Sequence, residues 1–200
     1  MDTEYRTKTG WLCLDFANTM EWHASESPEE TLKAYADLVE WSADKGIISG
    51  EAKHMLLKKS EEKPCEGQAV LEKAREIRES IYGILSDAVH GNPVKVTDLN
   101  EFNRALTSTL SHSRLAPYDG RLKWGWDSRS DKLDLVVWPV VKSAVDLMTS
   151  DAMKRVGQCA DDRGCGWLFW DSSRNRSRRW CDMKDCGNRA KVRRFYARKK

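Results

Sequence analysis

Forty per cent apolar residues and nine tryptophans among 200 exclude an intrinsically disordered chain and allow one core with a small appended module. The formal net charge of +3 hides a division: residues 154–200 hold fifteen Lys/Arg against five Asp/Glu, and the preceding residues hold nineteen against twenty-six. The opening residues 1–16 lack the basic-then-apolar design of a signal peptide, and the longest apolar run, 135–141, is too short to cross a bilayer, so a cytoplasmic protein with reduced thiols and no membrane partner is expected.

In chain order, "WLCLDFANT" (11–19) alternates Leu12, Leu14 and Phe16 and reads as a short strand or buried turn. Residues 27–46 read as a helix, with Ser27 as cap, Pro28 at the first position, Glu30 completing a capping box and Gly46 as stop. A second helix follows Ser49. Residues 66–91 give the longest periodic stretch, placing Val70, Ala74, Ile77, Ile81, Leu85 and Ala88 three and four apart, with Gly91 ending it. Thr97 opens a further helix whose inner face is expected to carry Leu99, Phe102, Leu106 and Leu110. The Asp119-Gly120 pair between short alternating runs predicts a hairpin over 114–127. Residues 131–156 suggest a helix that Pro139 kinks or starts late. The fold class expected is α+β, a mainly helical domain over 1–153 followed by a basic module over 154–200.

The acidic body shows little chemistry. Its four histidines have no metal-ligand spacing, and there is no Gly-rich phosphate loop or nucleophile elbow. Asp15, Asn18 and Thr19 form a polar cluster that either lines a small-molecule pocket or caps and turns the chain. Cys13 and Cys65 are each expected as small buried apolar side chains.

The basic module says more. Cys159, Cys165, Cys181 and Cys186 follow the spacing C-x5-C-x15-C-x4-C, two close pairs that let two loops converge on one tetrahedral Zn²⁺. The strand expected at 167–170 turns at 171–175 and returns through 176–180, and Asn188 opens a terminal helix with Cys186 at its start. This is the order of a treble-clef-like module. A stretch so charged buries too little apolar surface to fold unaided, so one structural zinc supplies the stability. Its surface presents Arg174, Arg176, Arg178, Arg179, Arg189, Lys191, Arg193, Arg194 and Arg198, forked cations suited to phosphate and base edges. DNA is the expected partner, with RNA or an acidic protein surface as alternatives. Val192, Phe195 and Tyr196 at helical spacing, with Trp167 and Trp180, read as packing for the zinc hairpin. Four cysteines close the zinc sphere, so no enzyme is expected.

"WLFWDSSRNRSRRWCDMKDCGNRAKVRRFYARKK" resembles the CGNR zinc-finger family, whose tetrapeptide stands at Cys186-Gly187-Asn188-Arg189. "LCLDFANT" resembles the start of the ABATE domain that accompanies this finger. The resemblance implies a bacterial, stress-induced transcription regulator with a largely helical first domain and a zinc-binding second. It places the four cysteines named above on the zinc positions, the first pair one residue wider than the C-x4-C of many members. A body that senses an effector or pairs into a homo-oligomer completes the expectation.

Overall fold

The computed structural model describes residues 5–127 and 131–197. Its centre is α1 (Leu12–Ala17), all six residues of which are buried. Leu12, Leu14 and Phe16 share the interior with Cys13 and Ala17, because a helix enclosed on every side shows no amphipathic period. The alternation read as a strand or turn is therefore a short core helix. It packs against the long α4 (Pro64–His90) and α6 (Trp138–Met148).

Between α1 and α2 (Tyr35–Lys45) the chain forms a small antiparallel pair, β1 (Met20–Glu21) with β2 (Glu29–Glu30). The helix expected from Ser27 thus begins only at Tyr35. Glu30 does not complete a capping box; it accepts from Arg78 through both oxygens, at 2.7 and 2.6 Å. Half of such a box forms one segment later, where the Asp37 carboxylate accepts from Ala34 N at 2.7 Å, while Ala34 has no side-chain oxygen to return the bond. Gly46, at φ 76°, ends α2 as expected. Ser49 caps α3 (Gly50–Glu62), accepting from Ala52 N, and Gly91 ends α4 in the left-handed region.

α5 (Val96–Leu110) departs from its expected orientation. Phe102, Ala105 and Thr109 face inward, while Leu99 and Leu110 are exposed, and Thr97 makes no cap. The small Ala105 and Thr109 let α5 approach α4 closely. At Gly83 a Cβ would lie 2.2 Å from the Asp98 carboxylate, and Lys73 of α4 pairs with Glu101 of α5. These contacts fix the rotation of the helix. β3 (Ser113–Tyr118) and β4 (Arg121–Trp126) form the expected hairpin around Asp119-Gly120. Pro139 sits in the first turn of α6, so that helix starts late, after a 3₁₀ turn at Leu133–Val136.

The last part is joined to the first. β5 (Val156–Gln158) and β6 (Leu168–Trp170) pair antiparallel against α1 and α4, and α7 (Asn188–Ala197) follows. The expected return strand at 176–180 is not one; β6 takes its partner from before Cys159 instead. Asn18 serves the other edge of β6, its amide donating to Leu168 O at 2.8 Å and accepting from Leu168 N at 2.9 Å. Leu168 belongs to the main core.

Two predictions follow from these buried polar contacts. Asn18→Ala leaves both Leu168 backbone groups without their partner and is expected to cost about 3 kcal/mol in urea unfolding; an unchanged midpoint would refute the role. Arg78, 1% exposed, joins Glu30 and Glu79. Burial alone would raise both carboxyls, but Arg78 and the Leu32 N–H at Glu30, and His23 and Arg78 at Glu79, hold them below 4.5. A carboxyl lowered in the folded state contributes stability above its unfolded value and loses it as pH falls through the folded one. Unfolding midpoints should therefore drop on acidification below about pH 4.5, and Glu30→Gln should flatten that dependence.

Candidate metal centre

Cys159 follows β5 directly and Cys165 stands three residues before β6, so the first pair faces across the tip of the β5–β6 hairpin. Gly164 and Gly166, at φ 85° and 68°, make the return. A Cβ at Gly164 would lie 2.5 Å from Ser25 Cα, so this loop rests on the backbone of the body, where Ala24 N donates to Gly164 O. Cys186 lies in the π turn Met183–Gly187, which runs into α7 without a break. Asp182 caps that turn, accepting from Lys184 N at 2.6 Å.

The four sulfurs lie within 4.8 Å of one another, with Cys165–Cys181 at 3.7 Å and Cys181–Cys186 at 3.6 Å. Zinc–sulfur bonds of about 2.3 Å in a tetrahedron give sulfur–sulfur edges of about 3.8 Å. The donor set and its spacing fit one Zn²⁺. Without a cation the cluster cannot ionise together: the Cys165 hydrogen bond lowers Cys159, while hydrogen bonds with Cys159 raise Cys165 and Cys181, and burial raises Cys186. A divalent ion reverses this by stabilising every thiolate.

Around the sulfurs lies a shell that residue types alone did not reveal. Arg189 Nη2 donates to Cys186 Sγ at 2.9 Å. Trp22, from the turn after β1, packs against the cysteines with Trp167 and Trp180. Its ring lies under the guanidiniums of Arg163 and Arg189, at 5.0 and 5.1 Å. Asp161, 5% exposed, gathers three arginines: Arg193 at 3.0 Å and Arg163 and Arg189 at 3.5 Å. Burial would raise the Asp161 carboxyl, but the Arg163 N–H and the surrounding guanidiniums hold it below the usual range. Two adjacent acids, Asp161 and Asp162, inside a basic loop were the one available signal. Trp22 lies 137 residues before Cys159 and gave none. Tyr82, raised to about 12 by burial, keeps its proton and donates to Gly166 O at 3.1 Å.

This shell sorts the basic residues. Arg189 and Arg193 are engaged with Asp161, Asp185 and Asp162. Arg178 stacks 4.5 Å over Phe169 and donates to the carbonyls of Trp180 and Cys181. Arg174, Arg176, Arg179, Lys191 and Arg194 present exposed side chains, Arg179 and Arg194 over the Trp180 ring. Arg198 lies outside the described residues. Val192, Phe195 and Tyr196 do not pack under the hairpin as expected; they are exposed, and the contacts that tie α7 to the rest of the finger run through Arg189 and Arg193.

Asp15, Asn18 and Thr19 do line a cleft of about 500 Å³ beside Trp41, Lys45 and Trp167. Their polar atoms are occupied within the chain: Asp15 by Lys45 and the N–H groups of Lys8 and Thr9, Asn18 by Leu168, and Thr19 Oγ1 by Phe16 O. Cys13 is buried as expected, whereas Cys65, near the start of α4, is exposed.

Two family models cover nearly the whole chain. ABATE, described as "Putative stress-induced transcription regulator", matches residues 10–151, and the CGNR zinc finger matches residues 155–199. Neither is an enzyme family. No curated protein matches the chain. The chain belongs to the ABATE family and carries the CGNR finger, whose four cysteines hold one structural Zn²⁺. Full-length protein should purify with one zinc per chain by elemental analysis. Cys181→Ser should abolish that occupancy and remove hydrogen-exchange protection from α7, while α4 stays protected; zinc retained in the variant would contradict the ligand assignment.

Proposed function

Taking that family membership as premise, we propose that the protein is a DNA-binding transcriptional regulator whose zinc centre fixes an arginine surface against the duplex. The observation that supports this reading most is the division of labour among the cations. Arg178, Arg189 and Arg193 bind carbonyls, carboxylates and a metal-site sulfur, so they hold the shape of the finger. Arg174, Arg176, Arg179, Lys191 and Arg194 remain exposed and contact phosphates or base edges. Arg198 extends the same set by sequence. Residues 1–153 act as the regulatory body and 154–200 as the reading head, in the cytoplasm.

Zinc has no catalytic part in this reading. Four sulfurs fill a tetrahedral sphere and leave no position for substrate or activated water. The exposed Phe195 and Tyr196 beside Arg194 support a second reading, stacking on unpaired bases of RNA.

With five free cations contacting phosphates, log K for duplex DNA should fall with log salt at a slope of about −4.5. Arg174, Arg176, Arg179 and Arg194 changed together to Ala should remove most of that slope and leave zinc content intact. Binding that ignores salt, or a variant that binds as tightly as the parent, would count against the proposal. Single-stranded RNA outcompeting duplex DNA at matched salt would shift the assignment to the second reading.

A further inference from the structure

α5 carries two apolar rows, one packed into the core and a second that the fold leaves largely exposed. Phe102, Ala105 and Thr109 face α4 and the core. A second row runs Val96, Leu99, Asn103, Leu106, Leu110, spaced three, four, three and four. At 100° per residue these five positions fall within a stripe about 80° wide. Val96 is 70% exposed, Leu99 44% and Leu110 46%; Asn103 is exposed and Leu106 half-buried at the edge of the core.

This is the spacing of coiled-coil contact positions, two heptads long, with a single asparagine at the centre of the seam. We propose that α5 is the interface through which two copies of this chain pair, stripe against stripe.

Several features select a second copy as the occupant. The stripe and its exposed flank, Asn100, Thr107 and Ser111, carry no charge. Of the helix's charged side chains, Glu101 lies opposite the stripe, where it joins Lys73, and Arg104 stands at the edge of the uncharged flank with its charge paired to Glu101. A face without charge meets its own copy without like-charge repulsion, in contrast to the rest of this charged surface. The row is nearly symmetric about Asn103, as an isologous two-fold contact requires. There Asn103 meets its own copy, and an amide is self-complementary, offering donors and an acceptor together.

Two heptads are too few for an isolated coiled coil, but α5 is already held helical by α4, so the ordering cost of the helix is met before pairing. Three residues after Leu110, the β3–β4 hairpin begins. One of its faces sets Leu115 opposite Trp124 and Pro117 opposite Leu122, with Leu115 and Leu122 exposed, a second uncovered apolar row leaving the same end of α5. Pairing along α5 presents two fingers on one particle. The inference stands whether or not those fingers meet DNA.

Sedimentation equilibrium of the zinc-loaded full chain tests it. The parent should sediment at twice the 23.0 kDa of one chain at micromolar concentration. Leu99→Glu with Leu110→Glu, both at exposed positions, should raise the dimer dissociation constant by about tenfold or more, with zinc content and far-UV circular dichroism unchanged. If that double variant folds poorly, cross-linking decides. Asn103→Cys should form a disulfide-linked dimer under diamide faster than the parent or Thr97→Cys, which lies off the stripe. A monomeric parent, a dimer indifferent to the glutamates, or equal cross-linking at 97 and 103 would each overturn the proposal.

Discussion

Four sulfurs held within 4.8 Å can all be thiolates only with a cation between them, and that constraint organises the second half of the molecule. A tetrathiolate zinc carries a net charge of −2, and the nearest compensation is Arg189, hydrogen-bonded to Cys186 Sγ. That guanidinium is itself shared with Asp161 and Asp185. The metal, the sulfurs, the arginines and the buried aspartate thus form one electrostatic unit. Removing the cation returns protons to the thiols, takes away the negative charge that Arg189 meets at Cys186, and loosens the contacts that orient α7.

The body participates in this unit. Trp22 lies beneath two guanidiniums of the finger, Tyr82 donates to Gly166 O, and Asn18 occupies the open edge of β6. Glycines at 164 and 166 allow the loop to approach residues 24–25 at a distance no side chain would permit. The cationic segment is consequently seated on a helical platform, and its orientation is set by packing rather than by a linker. A change in the platform near β1 or α4 reaches the metal shell through direct contacts.

Much of this was legible in residue order. The C-x5-C-x15-C-x4-C spacing, the Asp119-Gly120 turn, and Gly46 and Gly91 as helix stops each rest on local chemistry, which a linear reading captures. Failures came where tertiary contacts decided the outcome. α1 looked like a strand because its enclosure erases helical periodicity. Glu30 looked like a capping residue because its partner, Arg78, is 48 residues away. Leu99 and Leu110 of α5 read as core residues by their helical spacing with Phe102 and Leu106, whereas the close approach at Gly83 and Ala105 turns smaller side chains inward and leaves those two exposed. The basic run looked uniform; Asp161, which holds Arg189 and Arg193, and the carbonyls of Trp180 and Cys181, which hold Arg178, separate the arginines that build the finger from those it displays.

Zinc K-edge absorption on the intact protein tests the central claim most directly. The account predicts a single shell of four sulfurs at about 2.3 Å with no nitrogen or oxygen neighbour. A shell containing nitrogen or oxygen, or fewer than four sulfurs, would contradict it.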